Sequence, residues 1–201
     1  METSFKNGTS VDIEKFVQGH PSQTHDYFTI PHGTIHGSGK NNLVLEISST
    51  PYIFTFKIYD WLRADLDGKP RTLNINRAMD NLDFEQKGKT IREQNINNIK
   101  VLEDTDRVKI FHLITHDQLY FDVHRIELKS ASRLECQTNE MFHLMMLVEG
   151  ECVYVRTANG YEKRFCFAET FLIPAAANVY TIENKSNKIC KLVKAFVKKS
   201  K

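Results

Sequence analysis

Two stretches of this sequence resemble each other: FTIPHGTIHG at residues 28–37 and FLIPAAANVY at residues 171–180. In each stretch an apolar strand ends at a proline, and small residues lead into a returning strand. Two copies of one β unit predict two related β barrels. The copies differ at one chemically important position, because His36 in the first copy corresponds to Val179 in the second. The first copy therefore keeps a metal-type ligand that the second lacks.

The rest of the chain also favours an all-β fold with one short helix. Short apolar and β-branched stretches alternate with turn signals in the second half, which is typical of a sandwich or barrel. Gly150, between FHLMMLVE and ECVYVRT, predicts a tight hairpin, and Gly160 predicts a second one. Strands are also predicted within residues 26–59. The helical spacing of LNINRAMDNLDF predicts a short helix within residues 73–84.

Composition limits the class of protein. Hydrophobic residues make up 41% and charged residues 26% of the chain, which is ordinary for a soluble globular protein. No apolar run approaches the roughly 18 residues of a membrane span, and no signal peptide is evident, so we expect a cytoplasmic protein without a membrane partner. No basic face interleaved with aromatic residues is evident, which argues against nucleic acid. The four cysteines form no C-x-x-C pair and are expected to be buried free thiols.

Longer motifs carry a resemblance to a known family. The string PHGTIH at residues 31–36 resembles the second conserved motif of cupins. The stretch from residue 42 to 84 resembles the segment after the metal histidine in class I mannose-6-phosphate isomerases, roughly L-E-I, Y-R-x-Y-D-x-x-R and D-G-K-P-R-x-L. VEGECVYVRTANG and AETFLIPAAANVYTI resemble that family's C-terminal barrel. The matching positions are Glu46, Tyr59, Asp60, Arg63, Gly68, Lys69, Pro70 and Arg71.

The resemblance implies an all-β fold of cupin, or jelly-roll, barrels. We expect part of a metal-type barrel and a short connecting helix over residues 1–84, then a linker over residues 85–107. A complete second barrel without metal ligands is expected over residues 108–201. A partial barrel leaves strand edges unpaired, and such edges favour pairing with another chain. A homodimer through the open barrel edges would therefore be unsurprising.

The resemblance also implies a reaction and its residues. The family interconverts mannose 6-phosphate and fructose 6-phosphate through an enediol, assisted by a zinc ion held by Gln, His, Glu and His. It implies a sugar phosphate as substrate, His36 as a zinc ligand, and Lys57 and Glu46 as catalytic residues. Lys57 aligns with the family's catalytic arginine. The residues expected to bind the substrate are Lys69, Arg71 and Arg63.

The sequence departs from the family pattern at three places. No other zinc ligand has the expected spacing, and zinc usually needs three or four protein ligands, so His36 alone cannot hold it. Lys57 keeps a positive charge but lacks the planar fork of arginine. Thr50 and Pro51 stand where the family often has Ser-Asp. About 30 residues precede Pro31, too few for the upstream ligands, so we expect the chain to be incomplete on its own.

Two functions from different classes stay open, and with them the question of whether the chain is an enzyme. One is part of a zinc-dependent sugar-phosphate isomerase, and the other is a non-catalytic cupin module that binds a sugar or regulates a partner. Solvent-exposed roles for Lys57 and for the basic loop are as consistent with the pattern as functional ones. The later histidines show no ligand spacing and are expected to be structural or exposed: His112, His116, His124 and His143.

Overall fold

The structure is a computed structural model that describes residues 2–49 and 55–198. The chain divides into two compact units, Met1–Ile96 and Asn97–Lys201. In the described part of the chain, no helix is long and apolar enough to cross a membrane. The expected turn at Thr50 and Pro51 lies outside the described residues.

The second unit consists of two antiparallel sheets. The larger sheet has the order β1-β2-β3-β10-β5-β8, and the smaller sheet has the order β4-β9-β6-β7. Strands that are far apart in the sequence are adjacent in the sheets. For example, β3 and β10 pair in the middle of the larger sheet. The strands are β1 Ile99–Asp104, β2 Val108–Leu113, β3 Phe121–Leu128, β4 Ser132–Gln137, β5 His143–Glu149, β6 Cys152–Thr157, β7 Glu162–Cys166, β8 Thr170–Ile173, β9 Val179–Asn184 and β10 Cys190–Val197.

The core lies between the two sheets. Along β5, β6 and β8, buried residues alternate with more exposed ones, as the period of two in a β-strand requires. Burial of these apolar side chains, at about 25 cal/mol per Å² removed from water, is the main force that holds the sheets together. The inward side chains with at most 1% exposure include Ile126, Leu128, Leu147, Val153, Ile182 and Leu192.

The turn at Gly150 is a corner between sheets, so the hairpin predicted there is wrong. β5 pairs with β8 and β10, whereas β6 pairs with β7 and β9. Gly150 has φ +106°, and a Cβ at this position would lie 2.6 Å from Cys190 Sγ, so only glycine fits without displacement. The hairpin predicted at Gly160 is confirmed, because β6 and β7 pair directly across it.

The first unit is rich in loops. Its helices are α1 Glu2–Lys6, α2 Ile75–Met79 and α3 Gly88–Thr90, with a 3₁₀ turn at Ile13–Lys15 and a π turn at Ile91–Asn95. The helix predicted within residues 73–84 is confirmed as α2. The strands predicted over residues 26–59 do not form in the described part of that range, where Phe28 makes only an isolated bridge to Ile96. Apolar alternation needs a hydrogen-bonded partner strand to become a sheet, and the described residues of this unit supply none.

Residues 31–34 form a tight turn. Gly33 has φ +76°, and the amide of Thr34 donates to the carbonyl of Pro31 over 3.2 Å. A Cβ on Gly33 would meet the backbone nitrogen of Asp83 at 2.7 Å. The glycine of the P-x-G string is therefore required both by backbone conformation and by close packing.

The all-β class predicted from the sequence is confirmed, since the described residues form two sheets and few helices. The assignment of a metal-type barrel to residues 1–84 and of a ligand-free barrel to residues 108–201 stays a prediction. The stretch expected to be a linker contains β1, which pairs with β2 in the larger sheet. The sequence IKVLED gives little sign of this strand, because five of its six residues are exposed.

Candidate functional site

A partly buried ion pair closes the loop that carries the D-G-K-P-R motif. Arg71 Nε lies 2.5 Å from Asp60 Oδ2, and Arg71 Nη2 donates to Asp60 Oδ1 over 2.7 Å. The Asp60 side chain is only 12% exposed, so the pair is shielded from solvent far more than a surface pair. The structure thus commits the guanidinium of Arg71, predicted to bind substrate, to an internal carboxylate.

The predicted catalytic lysine lies at the base of the same loop. The backbone carbonyl of Lys57 accepts a hydrogen bond from the backbone amide of Asn74 over 2.8 Å. The backbone amide of Lys57 donates to Asn74 Oδ1 over 3.4 Å. The Lys57 residue is half-buried. Nearby, the guanidinium of Arg63 lies 5.7 Å from the centroid of the Trp61 ring, and that ring packs against Tyr59 with 5.2 Å between centroids.

The other predicted site residues of the first unit are exposed. His36 Nδ1 lies 2.9 Å from the carbonyl oxygen of Thr34, within its own turn. Glu46 and Lys69 are exposed on loop segments. Within residues 2–49 and 55–198, His36 is not part of any group of three or more metal-ligating side chains. The described surroundings of His36 therefore do not fit a zinc centre.

A cavity of about 320 Å³ opens in the second unit, between β1, β2, β3 and β10 of the larger sheet and β4 of the smaller sheet. Its apolar wall is formed by Leu102, Ile110, Ile126 and Leu134. Six further lining residues carry functional groups: Glu103, His124, Glu135, Cys136, Gln137 and Lys194. Sequence reasoning missed this cavity, because its residues come from five strands that are far apart in the chain.

Lys194 is at the centre of this polar group. On β10 it pairs in register with His124 of β3 on one side and Met145 of β5 on the other. Its Nζ lies 5.1 Å from the centroid of Phe196. Burial lowers the pKa of Lys194 from its usual range.

The imidazoles near Lys194 are held neutral. Burial, followed by the charge of Lys194, lowers the pKa of His143 to about 4 and the pKa of His124 to about 4. His143 Nδ1 hydrogen-bonds to Tyr180 Oη over 2.7 Å, and the same hydroxyl lies 3.7 Å from Met145 Sδ. Burial also raises the pKa of Tyr180. Lys194 thus lies near two imidazoles that are neutral at neutral pH, while Glu103 and Glu135 are the acidic residues that line the same cavity.

Burial likewise raises the pKa of Cys136, so its thiol is neutral at neutral pH. All four cysteines are free, with Cys136 and Cys190 buried and Cys152 and Cys166 half-buried. The prediction of free thiols is confirmed, although two of them are only partly covered.

One group of side chains in the second unit could hold a metal ion. The ligand atoms of His112, Asp122 and His124 lie within 4.8 Å of one another. His112 Nε2 hydrogen-bonds to Asp122 Oδ1 over 2.8 Å, and that oxygen also accepts from the hydroxyl of Thr115 over 3.2 Å. His112 and His124 are cross-strand partners on β2 and β3, a proximity that follows from strand register and not from sequence spacing.

Comparisons with known proteins agree with the family resemblance. No protein-family model matches the chain. The chain is 27% identical over 159 residues to a probable mannose-6-phosphate isomerase, GmuF, of Bacillus subtilis. The aligned residues make up 79% of this chain and 46% of that protein. It is 36% identical over 60 residues to a mannose-6-phosphate isomerase of Streptococcus mutans, covering 30% of this chain and 19% of that protein. The chain spans about half the length of the curated relatives that it matches across most of its length.

A solved structure is also similar. The mannose 6-phosphate isomerase from Bacillus subtilis aligns with a TM-score of 0.54 and 18% identity, over 70% of this chain and 39% of that chain. This likeness reflects a shared fold, so the predicted cupin fold is confirmed. The predicted resemblance to mannose-6-phosphate isomerases is confirmed as well, because the curated homologues carry that name.

Proposed function

We propose that this chain takes part in the aldose–ketose isomerisation of a sugar phosphate, as mannose-6-phosphate isomerases do. The observation that carries the proposal is the similarity to curated mannose-6-phosphate isomerases over 79% of the chain. The matched motif residues include Asp60 and Arg71, whose ion pair gives them a defined part in building the loop. A role in sugar-phosphate metabolism is also the basis for expecting the protein in the cytoplasm.

The proposed chemistry assigns roles to residues of the first unit. Moving a proton between C1 and C2 of an aldose builds negative charge on the sugar oxygens, and a fixed cation stabilises that charge. Lys57 is the proposed cation, since its backbone is held on both sides by Asn74. Glu46 is the proposed proton carrier, because a carboxylate at this position can accept and return a proton.

Substrate binding is proposed for the basic loop that follows. Lys69 and Arg63 have side chains at the surface and suit the phosphate of a sugar phosphate. Arg71 is assigned a positioning role instead, because Asp60 already occupies its guanidinium. The amide of Arg71 also donates to the carbonyl of Arg63 over 3.1 Å, which ties the two arms of the loop together.

Zinc, which the family implies, would serve as a Lewis acid on the sugar oxygens. The described residues around His36 do not supply the remaining ligands. A centre at His36 would need ligands beyond those described.

An isomerase assay with the purified chain, alone and with the N-terminal half of a mannose-6-phosphate isomerase added, tests the proposal, because the chain is expected to be incomplete on its own. Mannose 6-phosphate should be converted to fructose 6-phosphate, and Lys57→Met should lower kcat/KM at least tenfold while Lys40→Met, on an exposed turn, leaves it unchanged. Zinc per chain should be measured for the parent, His36→Ala and His124→Gln, which separates a centre at His36 from one in the second unit. Absence of conversion with and without added zinc would instead favour the non-catalytic sugar-binding module.

A further inference from the structure

We propose that the cavity of the second unit is a binding site for a small polyol that carries one oxyanion, with the ammonium group of Lys194 as the ligand of that oxyanion. The site is distinct from the residues assigned to isomerisation, all of which belong to the first unit. The proposal does not depend on the chain being an isomerase.

Lys194 is partly removed from water, which is energetically unfavourable for an ammonium group. Lys194 is on a central strand of the larger sheet and lines the cavity. No carboxylate of the described residues forms an ion pair with its Nζ, whereas Lys191, three residues earlier, pairs with Glu149 over 3.1 Å. Removing an ammonium group from water without a counter-charge is unfavourable, and a bound oxyanion would offset that cost.

The immediate neighbours of Lys194 are an aromatic ring and an imidazole. Phe196 presents its ring to the ammonium at 5.1 Å, and His124 is the cross-strand neighbour. Neither group supplies a negative charge, and the ring contributes only a weak cation–π attraction. A cation bound at His124 would be repelled by Lys194. The cavity therefore favours an anion over a metal ion.

The solvent-exposed part of the cavity lining carries carboxylate and amide groups. Glu103, Glu135 and Gln137 line the cavity and are themselves exposed. Exposed carboxylates repel a bare anion but accept hydrogen bonds from hydroxyl groups, and an amide both donates and accepts. This arrangement suits a molecule with an oxyanion at one end and hydroxyl groups at the other.

Size narrows the ligand further. The volume of about 320 Å³ is at the lower limit of ordinary ligand pockets, which run from about 300 to 1,000 Å³. It accommodates one monosaccharide unit. A phosphate ester and a carboxylate offer the same oxyanion chemistry to a lysine. Sugar phosphates and sugar acids therefore both belong to the proposed class of ligands.

Calorimetric titration of the whole chain tests the proposal with four probes: mannose 6-phosphate, mannonate, inorganic phosphate and mannose. We expect the parent to bind mannose 6-phosphate or mannonate at least tenfold more tightly than mannose. Lys194→Met, which keeps the length of the side chain but removes its charge, should weaken that binding at least tenfold. Lys191→Met on the same strand is the matched control and should leave binding unchanged.

The outcomes separate clearly. Preference for mannose 6-phosphate identifies a phosphate site, and preference for mannonate identifies a carboxylate site. Binding of none of the charged probes, equal binding of mannose, or unchanged binding in a folded Lys194→Met variant would overturn the proposal. If Lys194→Met does not fold, Lys194→Gln supplies the second test, because it removes the charge but keeps a polar side chain, and it should weaken binding at least tenfold. Isomerase activity is measured separately, so loss of one result leaves the other intact.

Discussion

The two units of this chain organise polar residues in opposite ways. In the first unit, the motif residues shared with mannose-6-phosphate isomerases occur mostly on loops, and the Asp60–Arg71 pair closes one of them. In the second unit, polar residues such as Lys194 and His143 project from paired strands into a close-packed interior. The longest motif string shared with the family lies in the first unit, whereas the polar cavity is in the second. Similarity of sequence and completeness of a site are therefore separate properties in this molecule.

The largest expected effect tests the difference in packing between the units. Leu192 has 0% exposure in the second unit, while Leu43 of the first unit is 93% exposed. Leu192→Ala should lower the free energy of unfolding by about 2–5 kcal/mol, because it leaves a cavity in the core. Leu43→Ala should change it by less than about 0.5 kcal/mol. Urea denaturation followed by fluorescence measures both, and equal effects would contradict the contrast.

A pH titration of stability tests the neutral histidine in the second unit. Folding lowers the pKa of His143 from 6.5 to about 4, so the unfolded state binds more protons between these values. The free energy of unfolding should therefore fall as pH drops from about 6.5 to about 4, by up to about 3 kcal/mol from this residue. His143→Gln should flatten this part of the curve. His124 behaves in the same way, so part of the slope should persist in the variant.

The Gly150 corner offers a third comparison, now within the second unit. Gly150 and Gly160 both have positive φ, but a Cβ at Gly150 meets Cys190 while one at Gly160 meets open space. Gly150→Ala should destabilise the chain by about 2 kcal/mol or more, through strain and collision together. Gly160→Ala carries only the backbone strain, about 1 kcal/mol. Thermal unfolding of the two variants should rank them in this order, and the reverse order would argue against a tight corner at Gly150.

Alternating apolar residues and glycine turns are local signals and predict strands such as β5 and β6, whereas the exposed β1 leaves little sign in the sequence. The sequence does not distinguish a hairpin from a sheet corner at Gly150, since both need a glycine between two apolar strands. The cluster of Lys194, His124 and His143 also escapes prediction. These residues meet through antiparallel register across β3, β10 and β5, and register is not encoded in the spacing along the chain.

In the first unit the family motif identifies the loop that the Asp60–Arg71 pair closes, and the role of that loop in substrate binding stays a prediction. The sequence could not separate a guanidinium that binds substrate from one that binds an internal carboxylate, because both need the same residue type. Arg71 proves to contact Asp60, eleven positions away. The strand prediction around residues 43–49 was wrong for a different reason. Alternation of apolar and polar residues describes the two faces of a strand, but it does not show whether a partner strand exists.

The smallest expected effect concerns this loop of the first unit. Asp60→Asn and Arg71→Met should each raise hydrogen exchange of the amides of Arg63 and Asp65, whose acceptors are backbone carbonyls of the same loop. The cost of removing either partner should be about 1–2 kcal/mol locally, because the remaining charge is left partly buried. The double variant should cost less than the sum of the two single changes. Strict additivity would mean that the pair does not hold the loop, and that Arg71 is free to bind substrate after all.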